Sequence, residues 1–550
     1  MMKHVLPTSV LQLLNTTSEG LWFMTRDNVV AFFNTPFYEQ FDMPLEDSTL
    51  EDWLALVHPE DRQGLQNKVS EHQQEVPLVR VKTRYRVKNR LGHYLWIEAT
   101  GTLVEQEGNM VMVGTHRNVS EEVFINQYLS HIANHDSETG LYNRHQFVKN
   151  MVKIDDNDWL FVCCFNQLHE AQRRGGQEAT SRLISSLVAV LDEILSLRYG
   201  LYRISADTLV FTVEQSMTSK QAMALMKKVE ARFLHQGRNR EVTLITQLGL
   251  GALLRSDMES AQLLTQVFNL SEYARLVESP VTYAGSSRKK IDRYFQIEDA
   301  LDVAITHRQI DIALQPIVSA ATGDLVSYEA LARWTHPVLG AVLPGEFIPM
   351  AEKLGYIHTL GMVVLEKACK FLSAFDKVHQ SRPNINVNVS AQQLLKSTFI
   401  IDVMKVVTES QLSPLRVVLE ITESYLLEHT DALMKILNEL HCLGFKLSID
   451  DFGAGMTAIT ELFSLPLYQV KLDRALVMEA MRSPACLKLI SHLCDYGQSH
   501  GITIVAEGVE TTEMFDRLKS TGVPYLQGFC LYHPSEPDVW LTCRGLHEPE

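Results

Sequence analysis

The chain has 550 residues, of which 46% are hydrophobic and 21% are charged, and its formal net charge is −16. A chain of this length is expected to form about three or four domains. The acidic balance disfavours general nucleic-acid binding, because a phosphate backbone requires a basic surface, but it leaves room for a small anionic ligand held by metal ions.

The eight cysteines are scattered and no Cys-x-x-Cys spacing occurs. This pattern predicts buried thiols in a reducing compartment, and neither a disulfide framework nor a zinc site. The N-terminus has no apolar signal core, and no run of about 18 apolar residues is present. We therefore expect a cytoplasmic protein that has neither a membrane nor a nucleic-acid polymer as partner.

The first segment, about 7–118, combines short strands with a helix-prone middle part. Ser9–Asn15 predicts a short helix. In His58–Asp61 a proline at the first helical position and two acids in the first turn predict a helix start. Three further apolar runs predict an antiparallel meander: Val79–Val87, Tyr94–Leu103 and Met110–Thr115.

This order of elements resembles the PAS fold of sensor and dimerisation modules. The matching motifs are His58–Arg62, Gly92–Ile97 and Asn118–Glu121. The segment has no cysteine for flavin attachment, since the first cysteine is Cys163. His58 could be a haem ligand, but a histidine that caps the following helix is favoured. The ligand of this domain is unknown from the sequence.

A connecting segment, 119–134, follows. Apolar residues at helical spacing predict a helix over Glu121–Ala133. Such a helix could carry movement from the first domain to the next, or it could be a plain linker.

The middle segment, about 135–290, predicts an α/β palm-like domain. His135–Arg144 resembles the opening motif of GGDEF domains, which are diguanylate cyclases. The predicted strands are 159–165, 201–204, 208–213 and 242–253, and the predicted helices are 177–196, 219–234 and 272–278.

The residues that carry cyclase chemistry in this family are missing. A cyclase needs two carboxylates for metal and a Gly-Gly hairpin that lets the backbone approach the nucleotide. The GGDEF motif aligns with Ser205–Leu209, where both glycines are absent and Thr208 replaces a metal-binding acid. Cys164 aligns with the other metal ligand, and Gln172-Arg173 with the pair that contacts the nucleotide. We therefore predict a structural or regulatory domain without GTP turnover.

Two adjacent carboxylates stand out in the last segment. The apolar strand Lys446–Ile449 runs directly into Asp450 and Asp451. Buried carboxylates need a cation, a basic partner or water. A pair of divalent metals would meet this need, and an Asx-type turn is the simpler alternative.

The segment 295–545 contains eight apolar runs that each lead into a polar residue: Gln315, Glu329, Asn388, Glu420, Asp450, Lys471, Glu507 and Gln527. This pattern predicts a (β/α)8 barrel with a site at one mouth. Helices are predicted at 360–374, 398–409, 431–443, 485–500 and 511–520. Only six residues separate Val318 from Leu325. Parallel neighbours need a longer crossover, so the first strand should be antiparallel to the second.

Glu329-Ala330-Leu331 is the naming motif of EAL domains, which are cyclic di-GMP phosphodiesterases. The other matching motifs occur in order: Gln315–Ile317, Asn388–Ala391, Glu420–Glu423, Asp450–Gly453, Lys471–Asp473, Ala506–Glu510 and Gln527–Phe529. The whole chain thus resembles a PAS–GGDEF–EAL protein with a degenerate GGDEF domain. Its expected fold class is multidomain: an α+β sensor, an α/β palm and a modified (β/α)8 barrel.

The resemblance implies hydrolysis of cyclic di-GMP to linear pGpG at a two-metal site that holds Mg²⁺ or Mn²⁺. The implied metal ligands are Glu329, Asn388, Glu420, Asp450 and Asp451. The implied catalytic residues are Glu329, Lys471, Glu507 and Glu423. Lys471 would hold or polarise the attacking water, Glu507 would help the second metal or its water, and Glu423 would tether the loop after Asp451. The implied substrate contacts are Gln315, Arg333 and Gln527.

One loop departs from the family pattern. The family more often has Thr, Tyr and Ser at positions 454, 456 and 457, where this chain has Ala, Met and Thr. Because the family links this loop to dimerisation and metal-site order, rate and regulation are less predictable than ligand chemistry. The resemblance also implies a homodimer. The alternatives are a catalytically silent cyclic di-GMP receptor, a bifunctional cyclase and phosphodiesterase, and an unrelated metal-dependent barrel enzyme, which would not be expected to match all eight motifs.

Overall fold

The computed structural model describes residues 12–13, 15–43, 48–72, 79–106, 108–166, 168–195, 200–213, 216–239, 247–257, 259, 261–423, 431–453 and 465–543. The chain divides into two compact units, Met1–Tyr283 and Ala284–Glu550. Most of the predicted helix Ser9–Asn15 and the loop positions 454, 456 and 457 lie outside the described residues. No described helix has both the length and the apolar character that a membrane crossing requires.

The first unit begins with an antiparallel six-stranded sheet, in which the first strand lies beside the last. Its strands are Gly20–Met24, Val29–Phe32, Ser48–Thr49, Arg80–Lys88, Tyr94–Gln106 and Asn109–Asn118, and its helices are Thr35–Tyr38, Leu50–Leu56 and Pro59–His72. The last three strands form the meander that the sequence predicts. The helix start at Pro59 is confirmed.

His58 lies at the start of this helix. The backbone N–H of Glu60 donates to His58 Nδ1 at 3.3 Å, which is a capping contact of the kind that the sequence favoured. The cavity inside this sheet has a volume of about 70 Å³, and His58 is not among its lining residues.

A buried histidine organises the core of the same sheet. The His116 ring stacks on Trp53 with centroids 4.7 Å apart. Its Nδ1 lies 3.1 Å from Tyr38 Oη and its Nε2 lies 2.9 Å from Tyr85 Oη. Burial lowers the pKa of His116 to about 3. The imidazole is therefore neutral at physiological pH and packs as one of the core rings.

The helix Ser120–Asn134 follows, as predicted. The rest of the unit is a mixed six-stranded sheet whose strands are Tyr142–Asn143, Trp159–Phe165, Gly200–Arg203, Thr208–Val213, Leu248–Leu254 and Val281–Thr282. Its α-helices are Arg144–Asn150, Leu168–Gly175, Gln177–Ile194, Ser219–Asn239 and Leu263–Val277. The helix predicted at 272–278 begins nine residues earlier, at Leu263, because Leu263 and Val267 continue its buried face.

The second unit is an eight-stranded barrel that carries one short additional strand, Gly340–Val342. The barrel strands are Ile310–Ser319, Leu325–His336, Asn384–Asn388, Val417–Thr422, Lys446–Phe452, Gln469–Leu472, Thr503–Ala506 and Tyr525–Leu526. The helices are Gly285–Thr306, Pro344–Lys353, Ile357–Val378, Ala391–Leu394, Phe399–Glu409, Asp431–Cys442, Arg474–Arg482, Pro484–His500, Thr512–Ser520 and Pro537–Thr542.

The strand Ile310–Ser319 closes the barrel and is antiparallel to both of its neighbours. The predicted antiparallel first strand is therefore confirmed. Gln315 faces Glu329 in the register of this first hairpin, and both residues lie in the middle of their strands. The sequence placed them at strand ends. The hairpin strands have ten and twelve residues and extend beyond the shorter parallel strands.

The sequence analysis did not predict the helix Gly285–Thr306, which crosses the boundary expected between 290 and 295. Its apolar residues Ile297, Leu301 and Ile305 are buried in the barrel core. The helix therefore belongs to the second unit.

Gly114 lies where the first sheet leaves no room for a side chain. A Cβ atom there would come within 1.8 Å of the Thr100 carbonyl oxygen and 2.6 Å of the Trp22 ring. We expect Gly114→Ala to destabilise this sheet by about 1–3 kcal/mol through overpacking. Gly64, inside the helix Pro59–His72, has open space around it. Gly64→Ala should stabilise by about 0.5–1 kcal/mol, because alanine restricts the unfolded chain.

Hydrogen exchange of the full chain, measured on peptides from the meander strands, tests the two substitutions. Faster exchange in Gly114→Ala and equal or slower exchange in Gly64→Ala are expected. Unchanged exchange in Gly114→Ala would show that the sheet accommodates the methyl group.

Candidate functional site

The mouth of the barrel is built around one buried lysine. Lys471 has no exposed surface and projects from the strand Gln469–Leu472. Its Nζ lies 2.6 Å from Glu507, 2.9 Å from Glu329, 3.2 Å from Glu420 and 3.3 Å from Asp450. These four carboxylates, named the acid cluster below, come from four separate stretches of the barrel. An ammonium has three N–H donors, so four carboxylates share them.

Strand alternation explains why these side chains converge. Neighbouring parallel strands bring their carboxyl ends to the same mouth, and every second residue points inward. Asn388 pairs in register with Glu420, and Thr422 with Asp450. Inward residues near these ends therefore meet above the barrel axis.

The two aspartates lie within the strand Lys446–Phe452 and not in a turn. The pairing register shifts between Ile449 and Phe452, and Asp451 has a φ of 55°. Simple alternation would point the two side chains to opposite faces. With the left-handed backbone of Asp451, the two side chains instead lie near each other, and the Asp451 carboxylate comes close to those of Asp450 and Glu507.

Carboxylate oxygens form two groups of three. In each group one oxygen from each residue lies within 4.8 Å of the other two. The first group is Glu329, Glu420 and Asp450, and the second is Asp450, Asp451 and Glu507. Asp450 is common to both. The arrangement offers two adjacent positions for divalent cations that share one ligand.

Amide side chains hold Glu329 in place. Asn388 Nδ2 donates to Glu329 Oε1 at 3.0 Å, and Gln527 Nε2 donates to Glu329 Oε2 at 2.6 Å. Gln527 Nε2 also lies 3.1 Å from Gln315 Oε1, and Gln315 Nε2 donates to the Tyr532 carbonyl oxygen at 3.1 Å. The predicted substrate residues Gln315 and Gln527 thus belong to the network around the acid cluster.

Two predicted residues lie outside this network. Glu423 is buried and its Oε2 accepts a hydrogen bond from the backbone N–H of Gly453 at 2.9 Å. Arg333 Nη1 donates to the carbonyl oxygen of Ala332 at 2.9 Å. Arg333 is half-buried and is not among the residues that line the cavity described next.

A cavity of about 250 Å³ opens beside the acid cluster. It is lined by Gln315, Glu329, Leu331, Asp450, Arg474, Glu507, Gly508, Glu510, Gln527, Gly528 and Phe529. Arg474, Glu510 and Phe529 received no role in the sequence analysis, although Glu510 and Phe529 belong to motifs that it quoted. Arg474 pairs with Glu510 at 2.8 Å, and Phe529 is 54% exposed.

The acid cluster holds more negative charge than the single lysine can offset, and the pKa values of its carboxylates are shifted. Burial raises the pKa of Glu420 well above its usual range, raises the pKa of Asp450, and raises the pKa of Glu507 to about 8. Burial alone would also raise the pKa of Glu329, but Lys471 and the amide donors hold it below its usual value. The pKa of Asp451 is raised by burial and by the neighbouring Asp450.

For Lys471, the neighbouring negative charges outweigh the effect of burial on the pKa. Burial alone would lower the pKa of its ammonium, but the acid cluster raises it well above its usual range. The lysine is therefore a cation in the metal-free site. Asp451 and the acid cluster together carry five carboxylates, so full ionisation would leave four negative charges that Lys471 does not balance.

These residues fit divalent metal ions. Asp450 Oδ1 is buried and accepts no well-formed hydrogen bond within the described residues, although it lies 3.3 Å from Lys471 Nζ. Carboxylate and amide oxygens are the ligands that Mg²⁺ and Mn²⁺ prefer. Added positive charge would permit the raised-pKa carboxylates to ionise together.

Among the described residues of the sheet that follows the helix Ser120–Asn134, no comparable group of acids occurs. Thr208 pairs in register with Cys164, so the two positions aligned with metal-binding acids are neighbours. Arg275 Nη2 donates to Thr208 Oγ1 at 2.8 Å and lies 3.0 Å from Asp207 Oδ1. The Cys164 thiol donates to the carbonyl oxygen of Gly249 at 3.3 Å. An arginine therefore neutralises Asp207 beside a thiol and a hydroxyl.

Comparison with protein families decides what the barrel is. Residues 298–534 match the family model of the EAL domain. This region is an EAL domain. Residues 30–116 match the family model of the PAS fold, so the first sheet is a PAS domain.

Two curated relatives match mainly the EAL domain. The oxygen sensor protein DosP of Escherichia coli is 35% identical over 246 residues, which are 44% of this chain and 31% of that protein. The bifunctional diguanylate cyclase/cyclic di-GMP phosphodiesterase MucR of Pseudomonas aeruginosa is 34% identical over 260 residues, covering 47% of this chain and 38% of that protein.

A solved structure of the PaMucR phosphodiesterase in complex with c-di-GMP is 35% identical. The match covers 44% of this chain and 99% of that chain, with a TM-score of 0.43. The chain spans 31% to 64% of the length of the curated relatives that it matches.

The raised pKa values predict that metal affinity depends on pH. At pH 6 the metal-free acid cluster holds a proton, because burial raises the pKa of Glu507 to about 8. A cation must displace this proton, so Mn²⁺ affinity should rise between pH 6 and 8 by about tenfold per pH unit for each proton released.

Calorimetric titration of the full chain with Mn²⁺, in two buffers of different ionisation heat, measures both the affinity and the number of protons released. Glu439, an exposed acid on the helix Asp431–Cys442, provides the control Glu439→Gln, which should titrate like the wild type. An affinity that stays constant from pH 6 to 8 would contradict the protonated state of the acid cluster.

Proposed function

We propose that the EAL domain hydrolyses cyclic di-GMP to linear pGpG with the help of two Mg²⁺ or Mn²⁺ ions. The observation that carries this proposal is the convergence of the acid cluster and Asp451 in two groups of carboxylates that share Asp450, with Lys471 as the only cation in direct contact among the described residues. The relative MucR bears the name of a cyclic di-GMP phosphodiesterase, which supports the same substrate.

The two groups of carboxylates support the following assignment of metal ligands. Glu329, Asn388, Glu420 and Asp450 would hold one ion, and Asp450 and Asp451 would hold the other with help from Glu507. Two bound ions would supply positive charge that neutralises the phosphodiester and acidifies the attacking water. Attack in line with the scissile bond would then expel the ribose 3′-oxygen and give the linear product.

Lys471 would act as a fixed positive charge and hydrogen-bond donor. In the metal-free site the carboxylates of the acid cluster hold the pKa of its ammonium above the usual range. With the carboxylate oxygens engaged by metal ions, the N–H groups of Lys471 would be available to hold the attacking water. Glu507, 2.6 Å from Lys471 Nζ, would place a carboxylate beside that water.

The substrate would lie in the cavity beside the acid cluster. Gln315 and Gln527 line this cavity, and we assign them to substrate contact together with Arg333. Glu423 would order the loop after Asp451 through its hydrogen bond to Gly453, and so would support the second metal position without touching the substrate.

The remaining domains would regulate this reaction. We assign the PAS sensor to residues 7–118, the connecting helix to 119–134, a silent GGDEF-like domain to 135–290 and the EAL domain to 295–545, acting as a homodimer. The Arg275 contacts with Thr208 and Asp207 support the absence of cyclase chemistry. A guanidinium already lies where the cyclase family would need metal ligands.

The decisive test is incubation of the full chain with cyclic di-GMP and Mn²⁺, with and without EDTA, followed by chromatography of the products. We expect metal-dependent pGpG from the wild type. Glu329→Ala and Asp450→Asn should each reduce the rate by at least about a hundredfold, because each removes a metal ligand. Glu439→Gln is the matched control and should keep the wild-type rate.

Near-normal turnover in either ligand variant would overturn the site assignment. Binding of cyclic di-GMP without turnover by the wild type would favour the silent receptor instead.

A second variant tests the middle domain. Asp207→Ala removes the acid that pairs with Arg275, and we expect phosphodiesterase activity to stay within about twofold of the wild type, since no metal chemistry is assigned there. Circular dichroism confirms that the variant is folded. GTP consumption by the wild type, or a large loss of phosphodiesterase activity in Asp207→Ala, would show that this domain still binds a nucleotide that matters.

A further inference from the structure

The interior of the barrel below the acid cluster is polar. Asn386 and Ser448 have no exposed surface, and Ser327 and Gln469 are each 2% exposed. Barrels of this architecture usually fill the same layers with branched apolar side chains. These buried polar residues play no part in the reaction proposed above, so another role must account for them.

Asn386 makes one contact with the neighbouring strand and one that crosses the barrel interior. Its Nδ2 donates to Glu420 Oε1 at 2.8 Å and to Gln469 Oε1 at 2.8 Å. Two strands lie between the strands that carry Asn386 and Gln469 in the sheet order, so the amide pair spans the interior. A primary amide has two N–H hydrogens, and both are used.

Glu420 is thereby held from two sides. Asn386 fixes Oε1 from below, and Lys471 Nζ lies 3.2 Å from Oε2. The hydrogen bond to Oε1 fixes the plane of the Glu420 carboxylate. In this orientation Glu420 faces Glu329 and Asp450, the other members of the first group of carboxylates.

Stability alone does not explain an amide at this place. Asn386 Oδ1 is buried and has no hydrogen-bond partner within the part of the chain that the structure describes. A buried polar atom without a partner is unfavourable, and replacing both members of a buried polar pair with apolar groups is often neutral or stabilising. The amide is therefore retained for what its N–H groups orient.

We propose that Asn386, backed by Gln469, is a positioning residue that fixes the Glu420 carboxylate as a ligand for a divalent metal. The inference rests on the proposed function, since it concerns the same metal site. Asn386 touches neither the metal nor the substrate. It acts on metal affinity through the orientation of one ligand.

The chain offers a matched control on the same strand. Asn384 lies two residues before Asn386 and points to the same interior, but it accepts a hydrogen bond from Lys446 Nζ at 3.1 Å and lies 3.4 Å from Tyr468 Oη. It makes no contact with the acid cluster among the described hydrogen bonds. Asn384→Leu therefore changes the same side chain in the same barrel without reaching Glu420.

The test is titration of the full-length wild type, Asn386→Leu and Asn384→Leu with Mn²⁺ in the absence of nucleotide, with free Mn²⁺ followed by electron paramagnetic resonance. Asn386→Leu keeps a similar volume and loses both donors. We expect its Mn²⁺ affinity to fall by about 10–100-fold, as for other residues that orient metal ligands. Asn384→Leu should bind as the wild type does.

Kinetics provide an independent readout. At saturating Mn²⁺, Asn386→Leu should recover most of the wild-type kcat with an unchanged KM for cyclic di-GMP, because the substrate contacts are intact. A raised KM at saturating Mn²⁺ would show a substrate role and overturn the inference.

Gln469→Leu covers the case in which Asn386→Leu does not fold. This variant leaves Asn386 in place and removes its second acceptor, so a smaller loss of affinity, about threefold to tenfold, is expected. Wild-type Mn²⁺ affinity in the folded variants would overturn the inference and leave the proposed function intact. A wild-type chain that binds no Mn²⁺ would overturn both.

Discussion

The barrel mouth depends on a single buried ammonium. Removing one charge from water is costly, and removing several carboxylates costs more unless positive charge compensates for them. Lys471 supplies that charge at the point where residues of separate strands converge. It does not supply enough, since five carboxylates face one lysine. The residual negative charge favours the binding of divalent cations at the mouth.

The two halves of the chain meet a similar electrostatic problem in different ways. In the EAL domain the acids are kept and the lysine leaves them partly uncompensated. In the middle domain Cys164 and Thr208 lie opposite each other on neighbouring strands, and Arg275 neutralises Asp207 beside them. The first arrangement has capacity for metal ions, whereas the second is already complete.

Much of the barrel could be predicted because its pattern is local. Each barrel strand is marked in the sequence by an apolar run that leads into one polar residue. The six residues between Val318 and Leu325 are too few for a crossover connection. The helix Gly285–Thr306 was missed because its first turns, Gly-Ser-Ser-Arg-Lys-Lys, lack an apolar stripe.

The fine geometry of the site was not accessible from the sequence. The left-handed backbone of Asp451 depends on a register shift against a neighbouring strand. The contact of Arg275 with Thr208 joins residues 67 positions apart. Asn386 lies two positions before the predicted ligand Asn388, and Gln469 two before Lys471, so alternation could have flagged both as inward. Their mutual contact required the closed barrel.

The closing strand has a consequence for how the protein folds. The hairpin that pairs Gln315 with Glu329 joins residues close in sequence, so its loop-closure entropy is small. Gln315 meets Gln527 across 212 residues, a contact of high sequence separation that forms slowly. The site therefore combines a hairpin that can form early with a contact that forms only when the first and last strands of the barrel meet. A barrel that has not closed would present Glu329 without the hydrogen bond from Gln527, and metal binding would favour the closed barrel.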